Sequence, residues 1–338
     1  MLNIARLNER DRRVLFLNTS DKLGMHPAIV EKDFWVCYTL DYLFHRNKYG
    51  NIFVFKGGTS LSKAYHVIDR FSEDIDLILD WRALHYSDDE SWKDRSRTQQ
   101  DKFNKQMNRL AADFIASKFA GSMQAGISGE LNNDAQFYID HDDPQVLNFA
   151  YPHIFVEQYL RPEVRLEIGP LAEWTPSHVQ RIRSFAADEY ERVFKNPDTD
   201  ILTVDVERTF WEKATILHKV AHLPQGKSIP DRYARHYYDL YSMSQTPIKE
   251  AAFKRKDLLQ RDVLFKEKFY YSKSAAYETA TLNEIQLVPP ERLISELQKD
   301  YDHMKVMIYG RIPELSSILK ALSELENEIH ELNNKTLC

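Results

Sequence analysis

One stretch, Phe53 to Leu79 (FVFKGGTSLSKAYHVIDRFSEDIDLIL), constrains the fold more than any other part of the chain. The apolar run 51–56, bounded by a glycine pair, predicts a buried strand. Leu61–Ile68 then predicts a helix and Ile75–Asp80 a second strand. The turn between strand and helix, Lys56-Gly57-Gly58-Thr59-Ser60, suits a nucleotide triphosphate. Glycines let a backbone bend sharply and come close to a ligand. N–H groups at a helix start favour phosphate, and the hydroxyls of Thr59 and Ser60 can donate to phosphate oxygens or cap the helix. Alone, such a turn is more often a helix cap than a nucleotide site, and it lacks the G-x-x-x-x-G-K-[ST] spacing of a P-loop.

Asp74 and Asp76 make the pattern specific. Two apart on a strand, they project from one face while Ile75 points into the core. Two carboxylates on Mg²⁺ leave coordination positions for water and phosphate oxygens. Ser72 stands close enough in sequence to support the metal site or contact phosphate. A second metal requires a third carboxylate, and Glu167 in the strand-like Val164–Ile168 is the candidate; the alternative is an ion pair with Arg165 or Arg161.

The surrounding pattern predicts an α+β fold: a mixed sheet with flanking helices, followed by a helical domain. Pro27 suits a helix's first turn, and apolar residues from Ile29 to Phe44 recur at helical spacing. Residues 82–98 read as a loop and Thr98–Phe119 as a long amphipathic helix. Gln136–Asp140, Val146–Ala150 and Val164–Ile168 read as strands. Val206–His222, Asp231–Ser242, Lys249–Tyr270, Pro290–Tyr309 and Pro313–Asn333 read as helices. The boundary falls near Pro197-Asp198, giving domains 1–197 and 198–338.

With 338 residues, 43% hydrophobic and 28% charged, the composition is that of an ordinary globular protein of about two domains. No apolar run approaches a membrane span. The stretch MLNIARLNERDRRVLF lacks a signal peptide's apolar centre. Cys37 and Cys338 are far apart, as expected of a buried thiol and a tail thiol in a cytoplasmic protein. Charge is uneven. Val206–Ala275 holds 14 Lys and Arg against 8 Asp and Glu, in a chain of net charge −6. Such a region is either a polyanion-binding face or a set of solvated helix faces.

Three motifs carry a family resemblance: Glu31-Lys32-Asp33-Phe34-Trp35, then Phe55-Lys56-Gly57-Gly58-Thr59-Ser60-Leu61, then Arg70-Phe71-Ser72-Glu73-Asp74-Ile75-Asp76-Leu77. Together they resemble the AbiEii/AbiGii toxin family, including MenT-type toxins, within the polymerase-β-like nucleotidyltransferase superfamily. Two helical motifs add to this, Glu212-Lys213-Ala214-Thr215-Ile216-Leu217 and Arg235-His236-Tyr237-Tyr238-Asp239-Leu240-Tyr241. His236 departs from the family's usual Asp or Lys, and Val220 stands where an Arg is common. The resemblance implies that Lys213 meets the triphosphate and that Asp239 is an active-site acid. Physically, Asp239 could hold Lys213 or Arg235 in place, or move a proton. The resemblance also implies a bacterial toxin–antitoxin or phage-defence role, a cognate antitoxin, and transfer of nucleotides to the 3′ end of tRNA.

The resulting expectation is a Mg²⁺-dependent transferase moving a nucleoside monophosphate from an NTP to an RNA acceptor. Arg235, Lys254, Arg255 and Lys256 are the RNA-binding candidates, with Arg261, Lys266 and Lys268 on the same predicted helix and Phe265, Phe269, Tyr270 and Tyr271 interleaved. The alternatives are a small-molecule or protein hydroxyl as acceptor, and a non-catalytic binding module. The spacing His218-x-x-x-His222 fits one helix face but has no accompanying Cys/His set, which favours packing over zinc.

Overall fold

The computed structural model describes residues 1–157, 160–173 and 175–332. Cys338 and Asn333 lie outside them. The chain forms two units, one of Met1–Ala64 with Ser72–Val204, the other of Tyr65–Phe71 with the chain from Asp205 onward.

The first unit is built on a seven-stranded sheet. Its strands are β1 (Phe53–Lys56), β2 (Asp74–Leu79), β3 (Gln136–Ile139), β4 (Val146–Ala150), β5 (Val164–Gly169), β6 (Ser177–Arg183) and β7 (Asp198–Val204), in the order β3-β4-β5-β2-β1-β7-β6. Apolar β1 and β2 pair antiparallel, with Phe55 opposite Leu77 and Lys56 opposite Asp76. β2 pairs parallel with β5, and β1 parallel with β7. The fold is α+β, as the sequence pattern predicts. β6 and β7 were not among the predicted strands. β6 is an edge strand in which Ile182 alone is buried, so it has no apolar alternation to read.

The helix Pro27–His45 is buried on every side. Its residues from Val30 to Leu40 are all buried, and it packs against β5 and β7. Trp35 stacks on Tyr151 and meets Tyr38 and Phe149 edge-on. Full encirclement explains why this helix shows no solvent-facing stripe between Val30 and Leu40. Cys37, within it, is buried and free, and burial pushes its thiol pKa up.

The predicted helix over Leu61–Ile68 instead spans Gly57–Lys63. Its sequel, Tyr65–Phe71, belongs to the second unit and runs as an extended strap. Phe71 N–H donates to Met307 C=O (2.8 Å), Tyr309 N–H donates to Asp69 C=O (2.9 Å), and Arg70 bridges Ile308. A Cβ on Gly310 would lie 2.6 Å from the Asp69 side chain, so glycine is what lets these segments close.

The second unit is otherwise helical. Its principal helices are Val206–Ala221, Ala234–Ser244, Ile248–Lys254, Asp257–Phe269, Glu291–Met304 and Leu315–Glu331. The single helix predicted over Lys249–Tyr270 is two, broken at Arg255-Lys256. Residues 82–98, predicted as a loop, contain short helical turns at Trp81–Leu84 and Asp88–Trp92. The long helix Arg97–Phe114 continues through a π-helical turn into Ala120–Leu131. No helix is long and apolar enough to cross a membrane, among the described residues.

Candidate active site

In the first unit, the strand pairing brings the turn and the acidic pair together. Gly57 has a φ of +82°, a conformation glycine adopts without strain. A Cβ there would sit 1.9 Å from Asp76 Oδ2 and 2.6 Å from its Cγ. The turn backbone therefore lies directly against the Asp76 carboxylate, and only glycine permits it. Asp74 and Asp76 share one face of β2, while Ile75 is fully buried on the other.

The hydroxyls of the turn act on the protein itself. Thr59 Oγ1 donates to Asp74 C=O (2.5 Å), and Ser60 Oγ donates to Gly57 C=O (2.8 Å). Both are buried, so they fix the turn's shape and tie it to the strand bearing the aspartates. Ser72 is half-buried, and its carbonyl lies 3.4 Å from the Thr59 hydroxyl. Lys56 lies opposite Asp76 in register, and Gly58 is buried in the first turn of the helix.

The first family motif supports this geometry through three consecutive buried charges. Glu31 accepts the N–H groups of Ile154 and Phe155 (both 2.9 Å at closest). Lys32 Nζ pairs with Glu73 at 2.8 Å, beside Asp74 in sequence, and donates to Arg161 C=O at 3.1 Å. Asp33 pairs with Lys63 at 2.6 Å, at the far end of the Gly57–Lys63 helix, and accepts from Phe185 N–H at 2.7 Å. One helix thus grips the turn's helix and the start of β2 separately. Buried charges must be paired or pay heavily, and each of these three is paired or hydrogen-bonded. Sequence reading quoted these residues but gave them no role. Three adjacent charges on a buried helix are the signal.

Glu167 stands opposite Asp76 in the β2–β5 register, and Arg165 opposite Asp74. Arg165 NH1 contacts Asp140 Oδ2 at 2.8 Å, its Nε is 3.8 Å from Asp74 Oδ1, and its NH2 is 3.9 Å from Glu167 Oε1. Among the described residues, no group of three or more His, Cys, Asp or Glu side chains is arranged to hold a metal ion. The aspartates stand as a pair with a guanidinium beside them.

In the second unit, Lys213 and Asp239 come together as the motifs suggest, and they bring Arg70. Asp239 is fully buried; Arg70 grips it with two hydrogen bonds (2.7 and 2.8 Å), and Lys213 Nζ with a third (2.8 Å). Burial pushes the Asp239 carboxyl up, but the Arg70 and Lys213 charges outweigh it and hold it well below the usual range. Burial also pulls the Lys213 ammonium down, with Asp239 opposing. His236 Nδ1 lies 3.0 Å from Lys213 Nζ. Burial and the nearby Lys213 keep that imidazole neutral, so Nδ1 accepts from the ammonium. Sequence reading missed Arg70. Its place four residues before Asp74 in a quoted motif was the available signal.

The basic helix region divides. Lys266 is buried, with Asp262 at 3.1 Å, and Asp262 also pairs with Arg208 at 2.7 Å. It is a core cation, which corrects its placement on a solvent face. Phe265 and Phe269 are likewise core, whereas Tyr270 and Tyr271 are about half exposed. Lys254 and Arg261 are exposed, Lys256, Lys268 and Arg235 half-buried, and Arg255 pairs with Asp257 at 3.1 Å.

His218 is fully buried, with both ring nitrogens hydrogen-bonded. Its Nε2 donates to Ala276 C=O (2.9 Å) and its Nδ1 accepts from Gln286 N–H (3.0 Å); the His222 ring lies 4.2 Å away. Burial pulls its pKa down to about 4. The unfolded chain takes up this proton near 6.5 and the folded one only near 4, so the unfolded state binds more protons between those values. Stability is therefore full above about pH 6.5 and falls by about 3 kcal/mol as the pH drops toward 4. Urea titrations at pH 7 and 4.5 should show the loss, and His218→Gln should flatten it.

The sequence matches the family described as "Nucleotidyl transferase AbiEii toxin, Type IV TA system" over residues 41–324. No curated protein matches it. Distantly similar solved structures include the following two. MenT4, a nucleotidyltransferase toxin from Mycobacterium tuberculosis H37Rv, is 15% identical, with a TM-score of 0.44 over 94% of this chain and 98% of that one. JHP933 from Helicobacter pylori is 14% identical, with a TM-score of 0.46 over 91% and 94%. The family match, which spans most of the chain, carries the assignment: the protein belongs to the AbiEii family of nucleotidyltransferase toxins of type IV toxin–antitoxin systems.

Proposed function

We propose that the protein transfers a nucleoside monophosphate from an NTP to a hydroxyl of an RNA acceptor, the 3′ end of tRNA foremost. Asp74 and Asp76 would hold Mg²⁺, and the 56–60 turn with Ser72 would hold the triphosphate. One observation supports this reading: the Gly57 backbone lies directly against the Asp76 carboxylate, where an added Cβ would come within 1.9 Å of Oδ2. The donor set also fits. Two carboxylates on one strand face are hard oxygen ligands, and magnesium characteristically takes one or two such groups and completes its shell with water and phosphate. Mg²⁺ bound there would neutralise phosphate charge and favour ionisation of the attacking hydroxyl.

The chain's own residues supply position. Thr59 and Ser60 hold the turn in shape, leaving backbone N–H groups for phosphate oxygens. Glu167 is the proposed third carboxylate. Lys213 is the proposed cation for the triphosphate. Asp239 is too weak a base for proton transfer, since two cations hold it ionised. Its role is to fix Lys213. The basic residues Arg235, Lys254, Arg255 and Lys256 would meet the RNA backbone, and exposed Tyr270 and Tyr271 could stack on unpaired bases. The cognate antitoxin opposes this activity.

Incubation with each labelled NTP and total RNA tests the reading. Label should appear at RNA 3′ ends, and Asp74→Ala should reduce it at least roughly 100-fold. Label on a small molecule or protein, or label that survives Asp74→Ala, overturns it.

A further inference from the structure

Arg165 lies outside the family motifs, yet it shares the sheet face of the acidic pair, opposite Asp74 as Lys56 is opposite Asp76. It emerges from β5 opposite Asp74, between Glu167 two residues on and Asn148 across the other pairing. Its firm partner is Asp140. That carboxylate accepts NH1 at 2.8 Å and is itself fixed by the N–H groups of Asp142 (3.0 Å) and Asp143 (3.4 Å) and by Asn148 Nδ2 (3.4 Å). Arg165 holds Asp140 down to about 2, so the anchor stays ionised at any working pH. The rest of the guanidinium reaches toward the site without bonding to it. The distances of 3.8 Å to Asp74 and 3.9 Å to Glu167 exceed hydrogen-bond range.

This placement has an electrostatic consequence. At 3.8 Å the guanidinium makes no hydrogen bond to Asp74, but its charge repels a second cation approaching the pair. It also attracts anions, and its fork geometry suits phosphate. A free divalent ion meets this repulsion with only the carboxylates to offset it. A divalent ion carried on a triphosphate brings the negative charge that offsets it.

We propose that Arg165, anchored by Asp140, is a specificity-determining residue that excludes free divalent metal from the Asp74/Asp76 pair and admits metal together with a nucleoside triphosphate. This rests on the metal–nucleotide reading of the site given above.

Mn²⁺ serves as the probe, with binding to the full chain followed by electron paramagnetic resonance or calorimetry, with and without a non-hydrolysable NTP analogue. Arg165→Gln should bind free Mn²⁺ roughly tenfold more tightly than the wild type and the Mn²⁺–analogue complex more weakly. Arg165→Lys, which keeps the charge but not the fork, should resemble the wild type toward free Mn²⁺. Opposite shifts in the two arms are a signature that a purely structural ion pair does not produce. If Arg165→Gln melts early, Arg165→Met keeps the aliphatic stem and takes its place. A folded neutral variant with unchanged or weaker affinity for free Mn²⁺ overturns the proposal. A wild type that binds no Mn²⁺–analogue complex overturns instead the site reading beneath it.

Discussion

Gly57→Ala is expected to lower nucleotidyl transfer by at least roughly 100-fold while leaving the protein folded. Two effects combine. Alanine at a φ of +82° is strained by about 1–2 kcal/mol. Its Cβ also has no place, because Asp76 Oδ2 lies 1.9 Å from the ideal position and Asp76 Cβ 2.9 Å. Either the turn retreats from β2 or Asp76 swings away. Both outcomes separate the two halves of the candidate site. Strain of this size is a fraction of ordinary domain stability, so the melt should shift by only a few degrees. Gly129→Ala is the control. That glycine lies within the helix Ala120–Leu131 with nothing within 4 Å of an added Cβ, so the change should leave activity intact. Radiolabel transfer beside a thermal melt checks both. Transfer by Gly57→Ala within a few-fold of the wild type would show that the close approach has no bearing on the reaction.

The second large effect concerns stability. Asp239→Asn should destabilise the protein by about 3–5 kcal/mol. The asparagine keeps the shape but removes the charge that pairs with both Arg70 and Lys213, each nearly inaccessible to solvent. Two buried cations would then lose the charge they share, while Arg235 adds to their repulsion. The loss is read as a drop in urea midpoint near pH 7. The pH dependence of the wild type follows from the same pair. Asp239 titrates below the unfolded value of about 3.9, so its contribution is fully present above that pH and disappears only as acid protonates the native carboxylate. An Asp239→Asn protein of wild-type stability would contradict a charge-paired core at this position.

The parts of the site that were legible in sequence are those set by neighbours along the chain. The glycine pair, the strand that enters it and the two-residue spacing of Asp74 and Asp76 are local signals, and the fold places them as expected on β1, its following turn and one face of β2. What sequence could not show depends on pairings between distant segments. Arg70 meets Asp239 across 169 positions, and Lys32 meets Glu73 across 41. A long charged side chain reads the same whether it ends in water or on a buried partner, which is why Lys266 looked like a surface cation. The break at Arg255-Lys256 carries no Pro or Gly to announce it. The edge strand β6 carries too few buried residues to show a period. In sequence the hydroxyls of Thr59 and Ser60 suit phosphate or a cap, and only the folded turn shows them bonded to the carbonyls of Asp74 and Gly57.

The most direct test of the central claim is anomalous diffraction at the manganese edge, from crystals grown with Mn²⁺ and a non-hydrolysable NTP analogue. The account predicts an anomalous peak within direct coordination distance of both Asp74 and Asp76, with the triphosphate lying along the Gly57–Ser60 backbone. A metal peak elsewhere, or a nucleotide bound away from that turn, would contradict it.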